Sequence, residues 1–369
     1  MTIKQFFCKE ELKNKPLLYT RAMKACSLFS GCGGDTLGME MAGLTVEYFS
    51  ELKPTFQRSH LKNFKNSKFI GGDIIKIPDE KFSELKGTIK VLFGGFPCQS
   101  FSHGGKKDPK DPRGQLYLQF VRAARLIEPE YIIGENVKGL LTRVTPQGEN
   151  FLKVILKAFG DIGYQCHYKV FKADNFGVPQ TRERLIIVGK RGEWTPKWPL
   201  ALDQKPNLKN ILKFDMNGVL EVPKELFEEA GVPSDCVIMG VGEPVGTPHP
   251  FLIDRANVRG VEYNGKTYST YAFSFGKRSS PVHCEIINPK AKSKTIICTY
   301  DHQPRLFVAQ GVGDKRYLRC LTVDELKEIQ GFPRDYQLEG SPKEQIVQLG
   351  NAVPPPIVRE VCKGLLDSN

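Results

Sequence analysis

The stretch ACSLFSGCGG, residues 25–34, predicts how this chain begins to fold. Its first half is apolar and typical of a buried strand, its second half is rich in glycine, and the helical pattern TLGMEMAG follows at 36–43. Strands that alternate with helices predict a parallel, doubly wound α/β sheet, in which ligands bind past the carboxyl ends of the strands. Five further strand-like stretches alternate with helical ones: VEYFSE (46–51), KFIGGD (68–73), KVLFGG (90–95), YIIGENV (131–137) and RLIIVGK (184–190).

The composition and the pattern of the sequence change beyond Gly192. Proline, glycine and basic residues interrupt short β-like stretches there, and a helical pattern returns only in PPPIVREVCKGLLDS at 354–368. We therefore expect an N-terminal extension (1–24), a large α/β domain (25–191), a smaller irregular β-containing domain (192–335) and a C-terminal segment (336–369) that returns to the large domain.

The composition excludes several classes of protein. The 369 residues are 40% hydrophobic and 25% charged, which is enough to bury a core. No window approaches the roughly 18 uncharged apolar residues of a membrane span, and the first residues lack the apolar stretch of a secretion signal. We therefore expect an intracellular protein with reduced thiols, and no two of its 10 cysteines have the spacing of a zinc ribbon. The net charge of +12 favours a polyanionic partner.

The glycine loop and the next two strand ends suggest a site for an adenosyl ligand. Gly31, Gly33 and Gly34 would let a ligand approach the backbone at the start of a helix, although a plain tight turn is the alternative. Glu51 ends the second strand, where a carboxylate can meet ribose hydroxyls, and Asp73 ends the third, where it can accept from an adenine amine. Thr36 replaces the third glycine of a dinucleotide motif, so S-adenosylmethionine fits better than a pyrophosphate cofactor.

Later strand ends carry reactive and charged side chains. Cys98 follows a glycine pair at a strand corner, where a thiolate could act as a nucleophile, although most cysteines are buried structural thiols. Glu135 ends the fifth strand and is a candidate acid, with a solvated loop carboxylate as the alternative. Arg182 and Arg184 alternate on one strand face and could hold an anion or a polar base edge, and simple surface charge is their alternative.

Taken in this order along one chain, these blocks resemble those of the cytosine-C5 DNA methyltransferase family. FSGCGG is similar to the family's cofactor loop, GGFPCQSFS to its nucleophile block, ENVKGL to its acid block and QTRER to its base-contact block. LTVDELKEIQGFP and QLGNAVPPP are similar to its two C-terminal blocks, so the resemblance covers about 25–191 and 316–360. It implies a Rossmann-like catalytic and cofactor-binding domain (25–191) and a target-recognition domain (192–335).

The resemblance also implies a role for each residue. Cys98 would add as a thiolate to C6 of a cytosine flipped out of the duplex, Glu135 would donate to N3, and Arg184 with Arg182 would hold O2. The products would be 5-methylcytosine and S-adenosyl-L-homocysteine, with no metal, and the stretch from Phe101 to Leu116 would be a mobile loop over the base. The cofactor residues implied are Phe29, Ser30, Gly31, Cys32, Gly33, Gly34, Glu51, Leu52, Asp73, Ile74, Gly95, Pro97, Leu116, Asn351 and Val353.

For the smaller domain the resemblance implies binding of double-stranded DNA at a short specific site. Basic residues suited to phosphates are Lys266, Lys277, Arg278, Lys290, Lys292 and Lys294. The aromatic residues interleaved with them are better explained as the domain's own core: Tyr263, Tyr268, Tyr271, Phe273 and Phe275.

We expect a monomer that acts where the DNA is, in a prokaryotic nucleoid or in a nucleus, with a cognate restriction endonuclease as a candidate partner. Two alternatives stay open, a tRNA cytosine-C5 methyltransferase and a non-catalytic DNA-binding subunit on the same fold. Cys298 is followed by Thr299-Tyr300, not by the Phe-Thr of the tRNA-methylating branch, which disfavours the first. The second is disfavoured because Cys98, Glu135 and both arginines are present.

Overall fold

The computed structural model describes residues 23–97 and 115–367, and a seven-stranded sheet forms its centre. Cys98 and residues 101–114 of the expected loop lie outside the described residues, as does most of the N-terminal extension. The strands lie side by side in the order β3-β2-β1-β4-β5-β7-β6. Their bounds are Lys24–Leu28 (β1), Thr45–Ser50 (β2), Lys68–Gly71 (β3), Val91–Gly94 (β4), Tyr131–Val137 (β5), Tyr164–Lys172 (β6) and Glu183–Arg191 (β7).

The first five strands of this sheet are parallel, as the alternation of strands and helices predicts. The structure departs from a wholly parallel sheet at β7, which lies antiparallel to both β5 and β6. The sequence analysis does not identify β6 at all. YQCHYKVFK lies at the sheet edge with most of its side chains partly or fully exposed, so it lacks the continuous apolar pattern of a buried strand.

Helices cover both faces of the large sheet, which confirms the doubly wound arrangement. On one face, Phe120 of α4 and Ile155 of α5 pack in one hydrophobic core with the strands. On the other face, Met39 of α1 and Val358 of α10 belong to a second core. The helices are Gly34–Met41 (α1), Pro54–Asn63 (α2), Asp79–Ser83 (α3), Leu116–Ile127 (α4), Phe151–Gly160 (α5), Lys224–Ala230 (α6), Pro250–Ala256 (α7), Val323–Gln330 (α8), Pro342–Asn351 (α9) and Pro355–Leu366 (α10).

A second sheet lies in the later part of the chain. Its strands follow the order β12-β13-β14-β15-β8, with β9 paired to β14, and a separate two-stranded ribbon joins β10 to β11. Tyr271 and Phe273 are buried in its core, as the sequence analysis expects. The bounds are Leu220–Val222 (β8), Ile238–Met239 (β9), Glu262–Tyr263 (β10), Lys266–Thr267 (β11), Phe273–Phe275 (β12), Cys284–Ile286 (β13), Leu306–Val312 (β14) and Lys315–Cys320 (β15).

A shared hydrophobic core joins the two sheets. It combines Cys32 and Leu37 of the first βα unit with Ile296 from the later part of the chain and Leu349 of α9. Both α8 and α9 begin with a capping box, in which a hydroxyl and a glutamate satisfy the first free backbone N–H groups of the helix. The two sheets are therefore held together by packing and not by a linker alone.

The cysteines among the described residues are free thiols. Within the described ranges, no helix has both the length and the apolar character that crossing a membrane requires.

Candidate active site at the carboxyl ends of the large sheet

The glycine loop after β1 is shaped by close packing from behind. Phe29, Gly31 and Gly33 have φ angles of 58°, 57° and 93°, the left-handed region that favours glycine. A Cβ on Gly33 would lie 2.5 Å from the Phe64 ring, and one on Gly34 would lie 2.5 Å from the carbonyl oxygen of Val353. Nothing lies within 4 Å of a Cβ on Gly31, so the loop is tight on one side and open on the other.

Glu51 fastens this loop to the end of β2. Its Oε2 accepts a hydrogen bond from the Gly31 N–H at 2.8 Å, and its Oε1 accepts one from the Lys53 N–H at 2.9 Å. Burial raises the pKa of Glu51, and these two N–H groups partly offset that effect. Leu52, the next residue, is 64% exposed and presents an apolar surface beside this buried carboxyl group.

Asp73 caps the short turn that follows β3. Its Oδ1 accepts from the Ile75 N–H at 3.1 Å, and a Cβ on the preceding Gly72 would lie 3.9 Å from the carbonyl oxygen of Leu52. The Ile74 side chain points into the core, whereas Ile75 is 53% exposed. The predicted cofactor residue Ile74 thus turns inward, and the exposed apolar surface beside Asp73 comes from Ile75.

Glu135 and Arg184 form a buried ion pair at the same edge of the sheet. They are brought together because β7 runs antiparallel to β5, which places the first residues of β7 beside the last residues of β5. Glu135 Oε1 lies 2.7 Å from Arg184 Nε, and the two side chains are 13% and 12% exposed. Burial raises the pKa of Glu135, and the charges of Arg184 and Arg182 act in the opposite direction.

Gly95 is the point where the two halves of this edge meet. A Cβ on Gly95 would lie 3.6 Å from Glu135 Oε2 and 3.8 Å from the carbonyl oxygen of Phe29. The glycine loop and the buried glutamate therefore face one narrow space, directly before Pro97 and Cys98. Cys98 itself lies outside the described residues.

Asn136 holds the chain that leads to this cysteine. Its Nδ2 donates to the carbonyl oxygen of Phe96 at 3.0 Å, and its Oδ1 accepts from the Val137 N–H at 2.9 Å. Sequence analysis assigns Asn136 no role. The available signal was an asparagine directly after a strand-end glutamate, where both of its amide atoms can bond to backbone.

Arg182 lies only two residues before Arg184, but its surroundings are different. It is 1% exposed, and its guanidinium donates to the carbonyl oxygens of Ile296, Gly350 and Ala352 at 3.0, 2.8 and 2.8 Å. Its hydrogen bonds therefore go to backbone, whereas Arg184 pairs with the glutamate.

The remaining predicted cofactor residues lie in three places. Ser30 and Cys32 belong to the glycine loop but turn inward, Ser30 within 3.2 Å of His60 Nδ1 and the Cys32 thiol into the shared core. Val353 packs behind the loop, and Asn351 ends α9 with an exposed side chain. Leu116 starts α4 and packs against the core beneath the sheet.

The polar side chains at this edge of the sheet suit an adenosine better than a metal ion. Within the described part of the chain, no three His, Cys, Asp or Glu side chains cluster so that they could hold a metal. Two carboxyl groups, Glu51 and Asp73, instead lie beside the exposed apolar surfaces of Leu52 and Ile75. Acceptors beside an apolar face match the hydroxyls, amine and ring of an adenosyl group.

Two solved structures share this fold. A chain described as a DNA modification methyltransferase from an Escherichia coli prophage superposes with a TM-score of 0.64 at 21% identity, covering 94% of this chain and 99% of that one. DNMT2 of Spodoptera frugiperda superposes with a TM-score of 0.62 at 18% identity, covering 94% and 100%. At these identities the likeness concerns the fold.

Sequence comparison identifies the family. The type II methyltransferase M.Eco47II of Escherichia coli is 31% identical over 361 residues, which is 95% of this chain and 80% of that protein. M.FnuDI of Fusobacterium nucleatum is 30% identical over 353 residues, 94% of this chain and 95% of the relative. The family profile described as C-5 cytosine-specific DNA methylase matches residues 23–367. This chain therefore belongs to the C-5 cytosine-specific DNA methylases, a family that depends on S-adenosylmethionine and methylates carbon 5 of cytosine in DNA.

Proposed function

We propose that this protein methylates C5 of a cytosine within a short specific site of double-stranded DNA and releases S-adenosyl-L-homocysteine. The observation that carries the proposal is the convergence at Gly95, where the glycine loop and Glu135 face the same space. A methyl transfer to a base requires the methyl donor and the base to meet at one point. Cys98 follows Gly95 by three residues in the sequence.

Four side chains would hold the cofactor. Glu51 and Asp73 present acceptors for ribose hydroxyls and the adenine amine, and Leu52 with Ile75 presents apolar surface for the ring. When bound, S-adenosylmethionine supplies the methyl group. Pro97 and the loop residues 29–34 would border the space in which that group meets the base.

Cys98 would supply the nucleophile that the base requires, since C5 of cytosine is unreactive on its own. Its thiolate would form an S–C6 bond, which raises the electron density at C5. After C5 is methylated, the proton on C5 would leave to a base and the S–C6 bond would break, which regenerates the thiolate and releases 5-methylcytosine as the product.

Glu135 and Arg184 would form hydrogen bonds to the cytosine ring while the thiolate adds to C6. Burial raises the pKa of Glu135, which favours the protonated carboxyl group that can donate to N3 as charge develops there. Arg184 lies against this carboxyl group and would hold O2. Arg182 instead donates to the backbone carbonyl oxygens of Ile296, Gly350 and Ala352.

The target cytosine would have to leave the duplex to reach this buried pair, at a cost of a few kcal/mol of unstacking. The basic residues around Lys277 and Lys294 would hold the flanking phosphates. We further propose that the protein acts as a monomer where the DNA is, in a nucleoid or a nucleus. A cognate restriction endonuclease is proposed because its relatives are type II methyltransferases.

The test is base-resolution sequencing of 5-methylcytosine in host DNA after expression of the wild type and of Cys98→Ala. We expect a short motif to be methylated with the wild type only, which would also give the recognition sequence. If neither protein marks DNA, the same preparations should be assayed on tRNA. Methylated tRNA would support the RNA alternative, and no product on either substrate would support a non-catalytic subunit.

A further inference from the structure

The segment Gln180-Thr181-Arg182 connects three parts of the chain that are distant in sequence; we call it the clasp. The Arg182 guanidinium bonds to the carbonyl oxygen of Ile296 on one side and to those of Gly350 and Ala352 on the other. One side chain thus holds the later part of the chain near Ile296 and the C-terminal block to the large sheet.

Gln180 makes the same connection with its amide. Its Oε1 accepts from the Ile296 N–H at 2.9 Å, and its Nε2 donates to Gln330 Oε1 at 2.6 Å. Gln330 in turn donates to the Ala352 carbonyl oxygen at 2.7 Å, so Arg182 and Gln330 share that acceptor. Gln180 and Gln330 are 0% exposed.

The clasp is reinforced by backbone. The Thr181 N–H donates to Ser293 and the Ser293 N–H donates to Pro179, both at 2.9 Å. A Cβ on Gly350 would clash with the backbone nitrogen of Cys298, so the two held segments pack backbone against backbone. A side chain at position 350 would therefore force the two segments apart.

Burying a guanidinium costs free energy, because the charged group loses its hydration. Among the described residues, no carboxylate bonds to Arg182 and its Nε has no hydrogen-bond partner. Burial lowers the pKa of Arg182. An apolar residue of similar size would take this donor away from the carbonyl oxygens of Ile296, Gly350 and Ala352. The guanidinium therefore stabilises the contact between the segments that carry these carbonyl groups.

The held segments border both halves of the candidate site. Gly350 and Ala352 lead into Val353, which packs behind Gly34 of the glycine loop. On the other side of the clasp, β7 begins and carries Arg184 to Glu135. We infer that Gln180 and Arg182 are positioning residues, which fix the Glu135–Arg184 pair relative to the glycine loop and the segment at Ile296, while Arg184 alone handles the base.

This inference rests on the proposed function, and Arg182→Lys tests it in the full-length protein. Lysine keeps the charge but lacks the planar fork needed for three carbonyl oxygens. We expect kcat per folded molecule to fall about tenfold or more, with KM for DNA and for S-adenosylmethionine changed less than about threefold. Arg191→Lys, at the far end of β7, is the matched control and should leave both unchanged.

Hydrogen exchange gives a readout that does not depend on activity. In Arg182→Lys, amides at 293–298 and 348–353 should exchange faster together, by about fivefold or more, while those of β1 keep their rates. Gln180→Ala should have a smaller effect in the same two segments, and it replaces the lysine variant if that one does not fold. If either segment keeps its wild-type rate, the clasp is refuted whether or not the wild type methylates DNA.

The remaining outcomes separate the roles. Faster exchange with unchanged kcat per folded molecule would make the clasp merely structural and overturn the positioning role. A pH profile of kcat altered in the same way as by Arg184→Lys would make Arg182 a catalytic residue instead, which also overturns the inference. A wild type without any methylation would refute the proposed function, and the exchange result would still decide the existence of the clasp.

Discussion

The ion pair between Glu135 and Arg184 places a titratable carboxyl group where water is scarce. Burial raises the pKa of Glu135, and the positive charge of the neighbouring arginine opposes that rise. Replacing one partner leaves the other charge without compensation, and such losses are larger than those of exposed pairs.

Glu135→Gln should therefore slow methylation by about 100-fold or more in kcat, because the amide cannot pass a proton to N3. Cofactor affinity, measured by calorimetry with S-adenosyl-L-homocysteine, should be nearly unchanged. Glu130→Gln, directly before the same strand and paired with Lys90, is the control. An unchanged kcat in Glu135→Gln would remove this residue from the chemistry.

Asp35 is a second buried carboxyl group, at the start of α1, where it accepts a hydrogen bond from the Ser27 hydroxyl. Burial raises its pKa to about 7. A pKa raised by folding means that stability is greatest at low pH and is lost as the pH rises towards 7, because the unfolded chain ionises first.

Asp35→Asn should therefore flatten the pH dependence of folding. Between pH 5 and 8 the wild type should lose about 2 kcal/mol more unfolding free energy than the variant, measured by urea denaturation. Equal losses in both proteins would mean that Asp35 is not the responsible group.

At the scale of elements, the close contact between α1 and α10 supports the glycine loop. A Cβ on Gly38 would lie 2.5 Å from the Pro355 carbonyl oxygen and 2.5 Å from Val358 Cβ. Glycine is required there by packing and not by its φ angle, since α1 is a regular helix.

Gly38→Val should thus separate the two helices and lower the unfolding free energy by about 3 kcal/mol. Thermal unfolding measures this directly. Gly160→Ala, at the end of α5 with open space around it, should be neutral or slightly stabilising. A Gly38→Val protein as stable as the wild type would show that α10 can move without cost.

These elements also show what sequence can predict. Six strands of the large sheet and the residues at their ends follow from apolar stretches and glycines, since local composition determines both. The edge strand β6 and the direction of β7 do not, because they depend on pairing. The partners of Arg182 are carbonyl oxygens 114 to 170 residues away, and every residue has a carbonyl, so no pattern in the sequence points to them.

At the scale of the whole molecule, the net charge of +12 does not mean that every basic residue is available to DNA, because some of them pair with carboxylates of the chain. Of the six basic residues expected to meet phosphates, Lys290 and Lys292 already pair with Asp235 and Asp174. The other four, Lys266, Lys277, Arg278 and Lys294, are exposed. The exposed basic residues that pair with no carboxylate in the described part of the chain are therefore the candidates for contacts to DNA phosphates.

A double variant, Lys277→Ala with Arg278→Ala, should weaken DNA binding and lower the slope of log K against log salt by about 2. Fluorescence anisotropy over a salt series measures the slope. Lys290→Ala, which removes an already paired charge, should change it by less than about half of that. Equal slopes in all three proteins would place the DNA elsewhere.

The neighbouring positions of α1 and α10 also matter during synthesis on the ribosome. The apolar side of α1, with Met39, emerges early, but its cover at Val358 is made more than 300 residues later. Until then that surface is available to chaperones or to other nascent chains. A premature stop before α10 would therefore leave the apolar side of α1 uncovered and yield a chain prone to aggregation.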